Sequence, residues 1–337
     1  MAKFNLLTKI LPVCCILFAC VREGSEAPSG QNAAPVHRLE KELFALDTMR
    51  VATSLQALYE KYPAFLSTHF RNVMGIDPAD TLAYTKVKEL LTNPYIRTVA
   101  SGIDSVYPSL DQFSEELFAA FGRYREDFPD TDVPAVFTYP ASLSGFRPAV
   151  WNSDSLLAIG IDCFLGADYY LYETTTFPDY ITRRFTPEHL LPTTLRGYIQ
   201  YHFPPRKEQP TFLSAMIYEG KVLYMLDGML PETPDSLKIG YTREQIGWAT
   251  TYERDIWAYF IGQDLLYSSS SRDYSKYLDE APFTVDLGPN SAPRVGAFTG
   301  WQIVRKYMEE NKDVDLAALM AETDGQKILR LSGYKPR

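Results

Sequence analysis

Hydrophobic positions are densest at residues 212–230 (FLSAMIYEGKVLYMLDGML). From Phe212 to Leu226 only Glu219 and Lys221 carry charge, and apolar side chains cover every face of a helix. A helix that is apolar all round is a buried one. This one is too short, and too interrupted by Glu219, Lys221 and Asp227, to span a bilayer, which takes about 20 mostly apolar residues. The pattern predicts the central core helix of a folded domain. Gly220 lets a second helix or a strand approach closely, at a cost of about 1 kcal/mol in helix propensity. Glu219 and Lys221 lie about 200° apart round the helix and cannot pair. Each requires a partner elsewhere or a route to water.

The remaining pattern is helical on either side of a short β-rich stretch. Helical spacing runs through residues 39–62, with Pro63 as its stop, then 80–91 before Asn93 and Pro94, and 109–128, where Ser109 and Gln112 form a candidate capping box. Residues 133–139 and 155–164 are strand-like, rich in β-branched and aromatic side chains, and 169–172 reads as a continuation. Helical spacing returns at 186–201, with Pro187 in the first turn. A second capping box at Thr242 and Gln245 opens a helix over 242–267, the expected partner of the central one. Short helices at 302–310, 316–320 and 324–331 close the chain. The fold class is α+β, mainly helical, with a small sheet and one central buried helix.

The ends set the domain organisation. Lys3 and Lys9 precede an apolar run at residues 10–19 that ends in Leu17-Phe18-Ala19-Cys20, the pattern of a lipoprotein signal over residues 1–19 with Cys20 as the lipidated terminus. Residues 20–38 are then the lipidated cysteine and a flexible tether, poor in large apolar groups. The globular domain spans 39–337, helical at 39–130, β-rich at 133–172 and helical again at 186–331. Removing the signal shifts the net charge from −9 to −11, which argues against a nucleic-acid partner. Cys14 and Cys15 leave with the signal and Cys20 carries lipid, so Cys163 has no partner for an intramolecular disulfide.

The central helix is informative as a metalloprotease motif with parts missing. His-Glu-x-x-His places two imidazoles one turn apart to hold zinc while the glutamate activates water. Here the five positions are Tyr218-Glu219-Gly220-Lys221-Val222: the glutamate is present, and Tyr218 and Val222 replace both ligands. The four histidines, His37, His69, His189 and His202, are scattered, so no metal and no cofactor is expected. Glu219 remains the candidate general base; the alternative is a carboxylate held by Lys or Arg from another element. Glu253 and Asp255 flank Arg254 on an expected solvated edge. Ser144 lies outside any nucleophile elbow, and Cys163 sits in an apolar strand, where a thiol is usually inert. Gly296 and Gly300 lack the strand and lysine of a phosphate loop. They read as easing the start of a helix, with Arg294 exposed as a candidate for a partner or anion. Tyr169, Tyr170, Tyr172 and Tyr180 form a candidate binding surface.

In these residues the chain resembles the gliding motility-associated lipoprotein family GldB from about Leu39 onward. The resemblance is carried by residues 157–166 (LAIGIDCFLG), 220–224 (GKVLY), 253–260 (ERDIWAYF), Pro293-Arg294-Val295-Gly296 and 300–304 (GWQIV). It implies a scaffold distantly related to zincin-like zinc proteases that have lost their metal ligands, and an envelope lipoprotein working with a motility and secretion apparatus. It implies no activity. The expectation is therefore a non-catalytic interaction or assembly component, lipid-anchored in the cell envelope with the periplasmic face of the outer membrane as first location. Its partners would be the membrane and other envelope, gliding or secretion proteins. The alternatives are a hydrolase or peptidase using Glu219, and a peptide- or glycan-binding module using Tyr169 and Tyr170.

Overall fold

The computed structural model describes residues 36–72, 76, 82–141, 150–153, 155–205 and 211–336. The signal, Cys20, most of the tether and Ser144 lie outside them. Strand β1, His37–Arg38, precedes six helices: α1 Leu39–Phe44, α2 Val51–Lys61, α3 Pro63–Asn72, α4 Ala83–Thr92, α5 Pro94–Val106 and α6 Asp111–Asp127. Pro63 opens α3 rather than ending a longer helix, because a missing N–H costs nothing in a first turn. Asn93 likewise starts α5, absent from the sequence reading: its side chain accepts from the N–H of Tyr95 at 2.9 Å, with Pro94 at the first position. The capping box expected at Ser109 and Gln112 does not form. Helix α6 begins two residues later, and Gln112 turns outward to Glu116 at 2.9 Å.

The sheet is mixed, in the order β1-β2-β4-β3, with β2 Ala135–Tyr139, β3 Val150–Ser153 and β4 Leu156–Gly160. Strands β1, β2 and β4 run parallel, and β3 returns antiparallel along β4. Buried side chains follow one another along β2 and β4 instead of alternating, as in parallel strands covered on both faces. Strand β1 falls inside the segment expected to be tether, so the folded unit begins earlier than residue 39. The predicted second strand is cut short at Gly160 and continues as a 3₁₀ turn, and where a strand was expected at 169–172 a second 3₁₀ turn, Tyr170–Thr174, forms instead.

Ten more helices follow: α7 Asp179–Thr182, α8 Pro187–His202, α9 Phe212–Met229, α10 Asp235–Ile239, α11 Arg243–Thr251, α12 Glu253–Gly262, α13 Ser271–Leu278, α14 Val295–Glu310, α15 Leu316–Ala321 and α16 Gly325–Ser332. The chain is thus mainly helical with a small sheet, an α+β fold. Helix α9 is the expected core helix. Thr211 caps it at Ser214 N–H, and Phe212, Met216, Leu223, Met225 and Leu226 are fully buried. The capping box at Thr242 and Gln245 forms, but its helix breaks at Tyr252 into α11 and α12.

The main partner of α9 is α14, seven residues longer than the helix expected there. The two cross backbone to backbone. A Cβ on Gly220 would overlap the carbonyl of Gly300, and one on Gly300 would overlap the carbonyl of Met216. The role expected for Gly300, easing the start of a helix, is therefore replaced by close approach in its first third. Trp301, beside the crossing, is completely buried.

Candidate functional site

Glu219 sits on α9 one residue before the crossing. Its Oε2 accepts from Arg196 Nη2 of α8 at 2.6 Å and from Arg294 Nη2 at 2.9 Å. Arg294, expected to be exposed, is 3% exposed. It precedes α14 in the left-handed region, φ 51°, a conformation uncommon for a residue with a side chain. Its guanidinium is fixed by the carbonyls of Ile239 at 2.9 Å and Leu278 at 3.2 Å as well as by Glu219. The arginine that the sequence offered to a partner is the clamp on the candidate base.

Behind this clamp lies a second carboxylate. Glu280 Oε1 meets Arg184 Nη1 at 2.8 Å and Arg294 Nη1 at 3.5 Å. Burial alone would raise the Glu280 carboxyl, but Arg294, Arg184 and Arg196 bring it below the ordinary carboxylate range. Burial, with Arg294 close by, lowers Arg196 to about 10. His189, beside these arginines, is lowered to about 4 by burial first and Arg184 second. It is a neutral imidazole near pH 7, with Nδ1 against Thr186 at 2.9 Å and Nε2 buried without a partner.

On its other side Glu219 lines a cavity of about 630 Å³, together with Tyr218, Phe203, Pro204, Pro205, Ala215, Ile217, Met320, Asp279 and Glu322. Both arginines use Oε2, and Glu219 Oε1 accepts no hydrogen bond among the described residues. The Tyr218 ring lines the cavity while its hydroxyl is buried without a partner, and burial raises that phenol. Val222, the other motif position, is fully buried. Lys221 donates to the carbonyl of Glu322, so the two charges on α9 find separate partners.

The other candidates are dispersed. Tyr169 packs its ring 5.3 Å from Tyr170 and reaches the carbonyl of Thr98 at 3.4 Å, Tyr170 is 55% exposed, and Tyr172 is buried, donating to the carbonyl of Asp162 at 2.6 Å. None of the three lines the Glu219 cavity. Glu253 accepts from Tyr334 at 2.8 Å, and Asp255 lies on the surface beside Arg254. Cys163 is fully buried, and burial raises its thiol well above the usual range. Among the described residues no group of His, Cys, Asp and Glu could hold a metal ion, and no helix is long and apolar enough to cross a membrane.

The sequence reading missed Arg196, although a cation between the buried Leu195 and Tyr198 and Ile199 was a readable signal. It also missed Asp279, which nothing local distinguishes. No match was found among curated proteins or among solved structures. A family model described as gliding motility protein GldB matches residues 24–336. With nearly the whole chain matched, the protein belongs to the gliding motility protein GldB family, a lipoprotein family of the cell envelope.

Proposed function

We propose that this chain is a lipid-anchored, non-catalytic interaction and assembly component of the gliding apparatus or its allied secretion machinery. Cys20 carries the anchor, residues before His37 form the tether, and residues 37–336 form the working unit at the periplasmic face of the outer membrane. A zincin-like ancestry belongs to the same proposal, supported by the place of Glu219 between Tyr218 and Val222 on a buried helix.

The observation that carries the non-catalytic reading is the double arginine clamp on Glu219 Oε2. A base of the metalloprotease kind acts on water held by a metal, whereas Oε2 here is tied to two arginines far apart in sequence and no group of His, Cys, Asp and Glu that could hold a metal stands among the described residues. The test is metal analysis and hydrolysis by the purified full chain. The expected result is sub-stoichiometric zinc and no hydrolysis that Glu219→Gln removes. Stoichiometric zinc, with peptide hydrolysis lost in Glu219→Gln, would establish the peptidase alternative instead. In intact cells, photo-crosslinkers placed along the cavity rim are expected to capture envelope proteins of the motility or secretion apparatus.

A further inference from the structure

The cavity beside Glu219 is lined unevenly in a way that specifies its ligand. Phe203, Pro204, Ala215, Ile217 and Met320 supply apolar wall. The cation in the lining, Lys221, is turned to the carbonyl of Glu322, and the Glu322 carboxylate is taken by Lys327 and by the N–H groups of Thr323 and Asp324. Two acceptors stay uncommitted. Among the described residues Glu219 Oε1 has no donor, and Asp279, exposed in the lining, donates its backbone N–H to the carbonyl of Ser275 at 2.7 Å, while its carboxylate has neither a hydrogen bond nor an ion pair. The Tyr218 ring stands next to Glu219.

A half-used carboxylate is best completed by a charged N–H donor, the stronger class of hydrogen bond. An aromatic face beside it adds attraction for the same cation. The apolar walls require non-polar groups on either side of that cation. A cavity of about 630 Å³ has room for them beyond one basic side chain. We propose that this cleft docks an extended peptide segment of a partner protein through a lysine or arginine flanked by apolar residues, the cation seated between Glu219 Oε1, Asp279 and the Tyr218 ring. This rests on the interaction reading above and names the chemistry of its partner.

The test is fluorescence anisotropy of the full chain in detergent with degenerate pools of acetylated, amidated pentapeptides. Their central residue is Lys, norleucine or Glu, and their flanks are drawn from Leu, Phe and Pro. The Lys pool is expected to bind about tenfold tighter than either other pool, and to weaken with added salt. Asp279→Asn and Glu219→Gln should each erase most of that preference, and Tyr218→Leu should weaken the Lys pool several-fold. Ala215→Trp, which fills the cleft without touching the arginines, should abolish binding and keeps the test valid if Glu219→Gln does not fold. Equal binding of the norleucine pool, displacement of the Lys pool by spermidine at matching affinity, or no binding by any pool would overturn the proposal. Cleavage of the bound Lys pool would overturn the non-catalytic reading and leave the docking chemistry standing. Absent binding with persistent crosslinks to motility proteins would remove the cleft and leave the assembly role.

Discussion

Two carboxylates on α9 invite comparison, Glu219 near its middle and Asp227 near its end. Their side chains are equally sheltered, 17% and 20% exposed. Asp227 is saturated. Its Oδ1 accepts from Lys238 at 2.9 Å and Arg305 at 2.8 Å, and its Oδ2 from Trp301 at 2.9 Å and Arg305 at 2.8 Å. Arg305 adds two bonds to Asp235 and lies 3.8 Å over the Trp301 ring. Glu219, a lining residue of the cavity, also takes two cationic donors, but both on one oxygen, with no donor to the other among the described residues. Burial and arginine partners do not by themselves separate a structural carboxylate from a binding one. Under the docking proposal, the distribution of donors over the two oxygens does.

The comparison breaks most severely at the crossing that holds both residues in place. Gly300→Val drives side-chain atoms into the backbone of Met216. The expected loss is more than about 4 kcal/mol, or no soluble protein, as read by urea unfolding. A fold that tolerates this change would refute the close helix packing. Next comes the saturated end. Asp227→Ala leaves the Trp301 N–H without its acceptor and Arg305 and Lys238 with Asp235 as their remaining carboxylate, and is expected to cost about 3 kcal/mol.

A pH titration isolates the arginine-rich end. The folded pKa of His189, about 4, lies below its ordinary 6.5, so the folded state holds fewer protons in between. Its contribution is therefore complete above pH 6.5 and is lost as pH falls toward 4, up to about 3 kcal/mol and less in practice. Melting temperature against pH should fall over that window, and His189→Asn should flatten the fall. Unchanged acid lability in that variant would place the titration elsewhere. The smallest effects belong to the half-used carboxylate. Glu219→Gln keeps one acceptor for the arginines and should cost about 1–2 kcal/mol. Asp279→Asn, at an exposed carboxylate with no partner among the described residues, should stay within about 0.5 kcal/mol. A Glu219→Gln loss larger than that of Asp227→Ala would reverse the distinction between the two.

Much of this molecule is legible in its local sequence. The all-round apolarity of residues 212–229 identifies the core helix, Thr211 and Thr242 set helix starts through hydrogen bonds within three residues, and the alternation of textures yields an α+β chain. Capping misled where two starts compete, as at Ser109 against Asp111. Strands β1 and β3 escaped notice because two and four residues carry no period, and each is held by its neighbour in the sheet.

The site was half legible. An acid in the middle of an apolar helix announced Glu219 as a charge that needs partners from other elements. That Arg196 and Arg294 pair with it could not be read, since they lie 23 and 75 residues away and periodicity marks a buried cation such as Arg196 without saying what it meets. Tyr169 and Tyr170 illustrate the same limit from the other side. Clustered in the sequence, they pack on each other, Tyr169 against α5 and Tyr170 largely exposed, instead of lining the cavity.

The sequence by itself determined which segment is buried, where capped helices begin and, through ordered motifs, the family. Those properties depend on contacts within a few residues and on the preference of apolar surface to leave water. Only the tertiary structure decided that α14 is the partner of α9, because close packing there requires Gly220 and Gly300 to coincide in space. It also decided that Arg294 faces inward and that both arginines meet the same oxygen of Glu219. Both follow from the angle at which distant helices meet, which no local pattern contains.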